Sequence, residues 1–327
     1  MKKILAIAVA SAIAAPAMAD MTISGTIVAG YSSNTADYEV VSAPAVTSTA
    51  AGTTVVTKEY LKSGNAGFGI DTAALTIAGS ETLENGLTVA GSMSAGGFTR
   101  GSSVDGENSS LSISGDFGKF EIASSKAGSG TFGFANVGGA EDFSAEISSE
   151  STADRISYST SFGDVAVKAG FAEETGVGKG QDDGITTELQ ASYSADGLGL
   201  LAKYWDYSDA AKAAAADKPN NGMRLGVSYD AGAVVVAAAH SRVNQSVANT
   251  DLTETSVGVK IPAGAATIGL VYAKKTDEAV AYDSEGTSAA VAYPLSANVS
   301  VKASYATWNS GANQDEQKSS ILATLKF

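Results

Sequence analysis

Apolar and polar residues alternate with a period close to 2 along most of the chain beyond residue 20. Met21, Ile23, Ile27 and Tyr31 share one face of the segment 21–31, against Thr22, Ser24 and Thr26 on the other. Residues 223–229 set Met223, Leu225, Val227 and Tyr229 against Arg224, Gly226 and Ser228. The segments 256–261 (Val257, Val259, Ile261 against Ser256, Gly258, Lys260) and 299–305 (Val299, Val301, Ala303, Tyr305 against Ser300, Lys302, Ser304) repeat the pattern. Side chains of a strand point alternately to its two faces, so the pattern predicts strands with one apolar and one polar side.

The connections between these segments come in two kinds that alternate. Short ones read Glu84-Asn85-Gly86, Asp116-Phe117-Gly118, Phe162-Gly163-Asp164, Ala195-Asp196-Gly197, Asp230-Ala231-Gly232, Pro262-Ala263-Gly264 and Pro294-Leu295-Ser296. Gly, Asn, Asp and Pro are what tight hairpins require. Long polar ones fall at 33–66, 98–107, 127–152, 173–185, 208–221, 243–251, 275–286 and 309–316. Short turns on one side and long loops on the other is the plan of outer-membrane barrels. The count comes to about 16 strands, an even number as single-chain closure needs. The fold class expected is therefore all-β, a closed antiparallel transmembrane barrel with short periplasmic turns and long extracellular loops. In lipid every backbone polar group must find a partner, which a closed barrel achieves. At this size side chains cannot fill the interior, so an aqueous channel is implied. The Ala-rich stretch Ala210 to Asp217 reads as loop with one helical turn.

The two ends add compartment. Lys2 and Lys3 precede an apolar run from Ile4 to Ala15, and Ala17-Met18-Ala19 has the small-x-small pattern of a cleavage site. Residues 1–19 are read as a signal peptide, with the barrel domain at 20–327. The chain has no cysteine, so no disulfide scaffold or thiolate metal site is available. Tyr158, Tyr193, Tyr229 and Tyr293 each stand on the apolar parity just before a short turn, as a periplasmic aromatic girdle would place them. The last strand puts Ile321, Ala323, Leu325 and Phe327 on one face.

Several stretches resemble the general diffusion porins of Gram-negative bacteria: GSETLENGLTVAG at 79–91, GDFGKFEIASSK at 115–126 and RISYSTSFG at 155–163, together with the hairpin rhythm and the terminal Phe. The resemblance implies a homotrimer in the outer membrane, in contact with its lipid, passing ions and small hydrophilic solutes. It further implies that a final strand ending in Leu325 and Phe327 carries the assembly signal, and that the third loop, here 127–152, folds inward as a constriction. Gly128, Gly130, Gly133, Gly138 and Gly139 would let that loop bend, with Phe132, Phe134 and Phe143 packing it to the wall. Ser124 stands where the resemblance calls for an arginine, and Lys126 is its nearest substitute.

Charge refines the channel. The chain carries a net −14, and acidic residues crowd the long connections. Glu141, Asp142, Glu146 and Glu150 are the constriction candidates, while Lys126, Arg155, Lys168, Arg224, Lys260 and Lys302 are candidates for a basic pore wall. Acidic loop against basic wall predicts a transverse field and a weak preference for cations. The outer acidic loops are also candidate sites for divalent cations. Neither a metal-ligand cluster nor a phosphate-binding glycine loop stands out, so no cofactor is expected, and nothing suggests nucleic acid as a partner. Barrel hydrolases commonly need histidine, and the one histidine, His240, sits on a strand-like Ala/Val stretch near a loop. The alternatives are an enzyme built on His240 and an adhesin or structural anchor with a plugged barrel.

Overall fold

In a computed structural model of the chain the residues described are 20–42, 57–99, 103–125, 130–143, 153–174, 185–208, 219–245, 250–278, 283–311 and 314–327. Among them run sixteen strands: β1 Asp20–Ser42, β2 Thr57–Thr82, β3 Thr88–Gly96, β4 Asp105–Gly115, β5 Gly118–Ser125, β6 Ala153–Phe162, β7 Val165–Glu174 and β8 Ile185–Ala195, then β9 Leu198–Tyr207, β10 Pro219–Asp230, β11 Val235–Gln245, β12 Leu252–Ala263, β13 Ala266–Asp277, β14 Asp283–Pro294, β15 Val299–Gly311 and β16 Gln314–Lys326. One short helix, α1 Gly130–Ala135, lies between β5 and β6. The expected signal peptide at 1–19 and the Ala210 to Asp217 segment lie outside the described residues.

Each strand pairs antiparallel with its neighbours in sequence, and β1 pairs with β16, so the sheet closes into a barrel with no free edge. The closing seam runs from Thr26 opposite Lys326 to Tyr38 opposite Gln314. At its end Gly25 and Phe327 exchange two backbone hydrogen bonds, of 2.8 and 3.1 Å. The Phe327 ring lies over Gly25 so closely that a Cβ there would come within 2.4 Å of it.

The alternation read from sequence fixes which side chains see lipid. Leu225, Val227, Val257, Leu270, Val291, Tyr305 and Ile321 stand exposed on the outer wall. Arg224, Ser241, Ser256, Ser288, Ser304 and Ser320, on the other parity, are buried toward the interior. The turns sit where hairpin chemistry put them. Asp196 and Gly197 both take positive φ, 50° and 79°, the requirement of the two-residue turn between Ala195 and Leu198. Near the turn end the Tyr158 hydroxyl donates to the Phe117 carbonyl, with the Phe120 ring 4.8 Å from the Tyr158 ring.

The long connections are shorter than the side-chain pattern suggests. β1 and β2 pair without interruption up to Ser42 opposite Thr57, well inside the expected loop 33–66. Similarly, β13 reaches Asp277 and β14 begins at Asp283, inside 275–286. Backbone pairing does not need apolar alternation, so the ladder continues past the lipid band. Hydrophobic alternation marks only the roughly 10 residues that cross the membrane.

Candidate functional site: the inner loop and the lumen wall

Residues 130–143 lie inside the barrel. Their seat is prepared by glycines on the inward parity of four strands. A Cβ at Gly258 of β12 would fall 1.9 Å from the Ala135 carbonyl oxygen, and one at Gly269 of β13 would fall 2.4 Å from that of Gly138. Phe134 occupies the space over Gly226 of β10, and Phe143 that over Gly286 of β14. No larger residue at these wall positions leaves room for loop backbone at such distances, whereas glycine does. Phe132 and Phe143 pack at 4.8 Å, edge to face, and Phe143 stacks on Trp308 of β15 at 5.8 Å. With Ala140, Val271, Ala273 and Ala306 they form the apolar core of the molecule, which lies between loop and wall. Phe132 and Phe143 are 1 % and 3 % exposed, and burying each contributes roughly 1.5–3 kcal/mol. Asn136 holds the turn beyond α1 by accepting from the Ala140 amide at 2.7 Å and donating to its carbonyl at 3.1 Å.

Glu141 anchors the far end of this segment. Its carboxylate is 3.9 Å from Lys302 Nζ and 2.6 Å from Lys318 Nζ, and it accepts from the hydroxyls of Ser304 and Ser320. Burial pushes the carboxyl up, but hydrogen bonds from Lys318 and Ser304 and the charges of Lys318 and Lys302 outweigh it. The net effect holds Glu141 below its ordinary value. Thr131, at the start of α1, donates to Glu254 of β12 at 3.3 Å and accepts from Ser256 at 3.3 Å. These contacts run over β10 to β16, so β5 to β9 face the loop across the lumen.

That facing wall is rich in cations. Arg155, Lys168 and Lys203 point inward from β6, β7 and β9, with Glu188 of β8 among them, and Arg224 stands beside Lys203 on β10, at the edge of the strands that carry the loop. Lys203 and Arg224 are direct cross-strand partners, a costly placement for like charges. Trp205 relieves it, its ring lying 5.6 Å from Lys203 Nζ and 5.7 Å from the Arg224 guanidinium carbon. Trp205 in turn lies over Gly222, where a Cβ would come within 2.3 Å of the indole.

Of the constriction candidates, Glu141 is turned to the wall and Asp142 is exposed, while Glu146 and Glu150 lie outside the described residues. Among the basic candidates, Lys302 meets Glu141, and Arg155 and Lys168 line one hollow. Arg224 lies by Trp205, and Lys260 is opposite Gly269, while Lys126 is outside the described residues. Leu325 and Phe327 lie on the outer face at the closing seam. His240 is exposed on β11, its ring nitrogen 2.8 Å from the Thr255 hydroxyl. Among the described residues no three His, Asp or Glu side chains gather as a metal site. Lys318, Lys203, Glu188, Trp205 and Trp308 escaped the sequence reading, although inward parity marks each of them.

A closed barrel with an apolar exterior, a polar interior and one loop folded within is a transmembrane channel of the outer-membrane type. Its sequence matches the Gram-negative porin family over residues 6–324, and the chain belongs to that family. It is an outer-membrane porin channel rather than an enzyme. Among curated proteins no sequence matches it significantly. Among solved structures it is similar to an anion-selective porin from Comamonas acidovorans, with TM-score 0.66 and 14 % identity over 94 % of this chain and 100 % of that one. A porin refined at 1.8 Å gives TM-score 0.63 and 15 % identity, over 94 % of this chain and 100 % of the other. The outer-membrane protein OmpT of Vibrio cholerae, in trimer form, gives 0.59 and 12 % over 95 % and 100 %. At these identities the likeness is one of fold.

Proposed function

We propose that the channel passes small hydrophilic solutes between the inner loop and the β5–β9 wall, and that it prefers anions weakly. The observation that carries the sign is the pairing of Glu141 with Lys318 and Lys302, which takes the first expected constriction acid out of the lumen field. The wall across from the loop presents Arg155, Lys168 and Lys203, with Glu188 as their acidic neighbour and Arg224 next to Lys203 on β10. Charges at the narrow zone act through low-dielectric walls and weigh more than acids at the mouth. The cation preference expected from the acidic loops gives way to this local reckoning. The anion-selective Comamonas porin shares the fold, and the charge of this chain's own wall is the argument. Reversal potential in a KCl gradient tests the sign. A potential on the anion side supports the reading, and one on the cation side returns the assignment to the loop acids.

We propose further that the barrel works as a homotrimer, as its family membership and the trimer form of the Vibrio protein suggest. Cross-linking in mild detergent checks this, a single monomer band being the contrary result.

A further inference from the structure

We propose that the β6–β9 wall holds a subsite for small oxygen dianions, phosphate monoesters or dicarboxylates, which solutes occupy briefly on their way through. The proposal rests on the porin channel and names a solute class for its wall. The site is a hollow of about 300 Å³ lined by Ser125, Arg155, Lys168, Glu188, Gln190 and Lys203.

Register brings its key groups together. Lys168 of β7 is directly opposite Gln190 of β8, and Gln190 is directly opposite Lys203 of β9. With strands about 4.8 Å apart, the two ammonium stems flank the amide, their backbones about 10 Å from each other. One step along the same strands, Ser157, Gly170 and Glu188 are cross-strand neighbours. Gly170 has no side chain to fill the space between Lys168 and Glu188, and a Cβ there would lie 2.5 Å from the Ile156 carbonyl oxygen.

Two of the cations are held in place. Arg155 Nη1 donates to Ser125 Oγ at 2.6 Å, and its Nε lies 3.7 Å from Glu188. Lys203 Nζ lies 3.2 Å from the other Glu188 oxygen. These side chains are only 14–19 % exposed, so the site is ordered before any solute arrives. Lys168 and Gln190, by contrast, have no hydrogen-bond or ion-pair partner among the described residues. Among the lining residues three cations stand against one carboxylate, a positive balance that suits a dianion.

The donors specify oxygen chemistry. A guanidinium offers a planar fork, an ammonium a point charge and Gln190 an amide N–H, all suited to phosphate or carboxylate. Glu188 can accept from a hydroxyl carried by the same solute, which a bare halide lacks. Weak, brief occupancy is what a conducting channel requires.

Single-channel recording of the wild-type protein in KCl at pH 7.5 tests the site, with inorganic phosphate or malate added at constant ionic strength. Both should reduce the chloride current saturably in the millimolar range, with gluconate as the monovalent control having no such effect. Block by only one of the two probes narrows the class to phosphate or to dicarboxylate and still supports the site. Lys168→Ala, and separately Lys168→Gln, should raise the half-blocking concentration about tenfold, the loss of one charge-assisted hydrogen bond. Lys274→Ala, on the outer wall, should leave it unchanged. A normal KCl current from the Lys168 variants shows that they fold. Conductance without saturable block, or block untouched in both Lys168 variants, overturns the subsite and leaves the channel standing. A wild-type barrel with no conductance would overturn the channel itself.

Discussion

Glu141 is a carboxylate that burial disfavours and two lysines keep ionised. Its folded-state value lies below the ordinary 4.5, so the stability it gives the loop is complete above that value and is lost as pH falls through the lower one. The inner loop should therefore stay docked in mild acid and loosen only below about pH 4.5, seen as rising current noise on acidification. Glu141→Gln should abolish that acid step and raise the noise already at neutral pH. Removing one member of such a buried pair costs about 3 kcal/mol, because the other charge is left uncompensated. A pH profile identical in wild type and variant would refute the anchor. This residue also marks where sequence reading stops. The loop position and the charge of Glu141 were plain, but its partners lie far along the chain, Ser320 being 179 residues away. Only closure of the barrel brings them within reach.

At the level of elements, the period-2 pattern was enough to name the face of every strand it marked, because a strand has only two faces. What the pattern could not convey was a seat. Gly226, Gly258, Gly269 and Gly286 read as scattered small residues until the loop is seen lying on them. The side chain of Gly258→Val would meet the Ala135 backbone rather than a flexible side chain, so the loop has to move. The variant should conduct more than wild type while keeping the heat-modifiable mobility of an intact barrel. Phe143→Ala should loosen the same loop from its other side, at a cost of about 3–5 kcal/mol. Unchanged conductance in both would mean that the loop does not narrow the passage. The strands extend further than the pattern predicts for a related reason, since pairing continues beyond the lipid band where regular alternation of apolar and polar residues no longer marks it.

For the molecule as a whole, strand number, closure and the alternation of turns and loops were all legible, since the membrane imposes them on any spanning sheet. Which charges border the passage was less so. A net charge of −14 describes the whole chain, whereas an ion in transit feels the few groups at the passage. The closing seam, with Phe327 held to Gly25 by two backbone bonds, has a further consequence. The first and last strands are ordinary neighbours, so the barrel itself has no first strand. A circular permutant that joins Phe327 to Asp20 by a short linker and opens between Ser42 and Thr57 keeps every strand pair. It should refold in detergent micelles with nearly the parent's thermal stability. In cells the same chain should fail to insert if a terminal Phe327 is the assembly address that the porin resemblance implies. A permutant that inserts normally would show that the terminal aromatic is a piece of the wall rather than an address, and comparing the two settings separates what holds the barrel together from what delivers it.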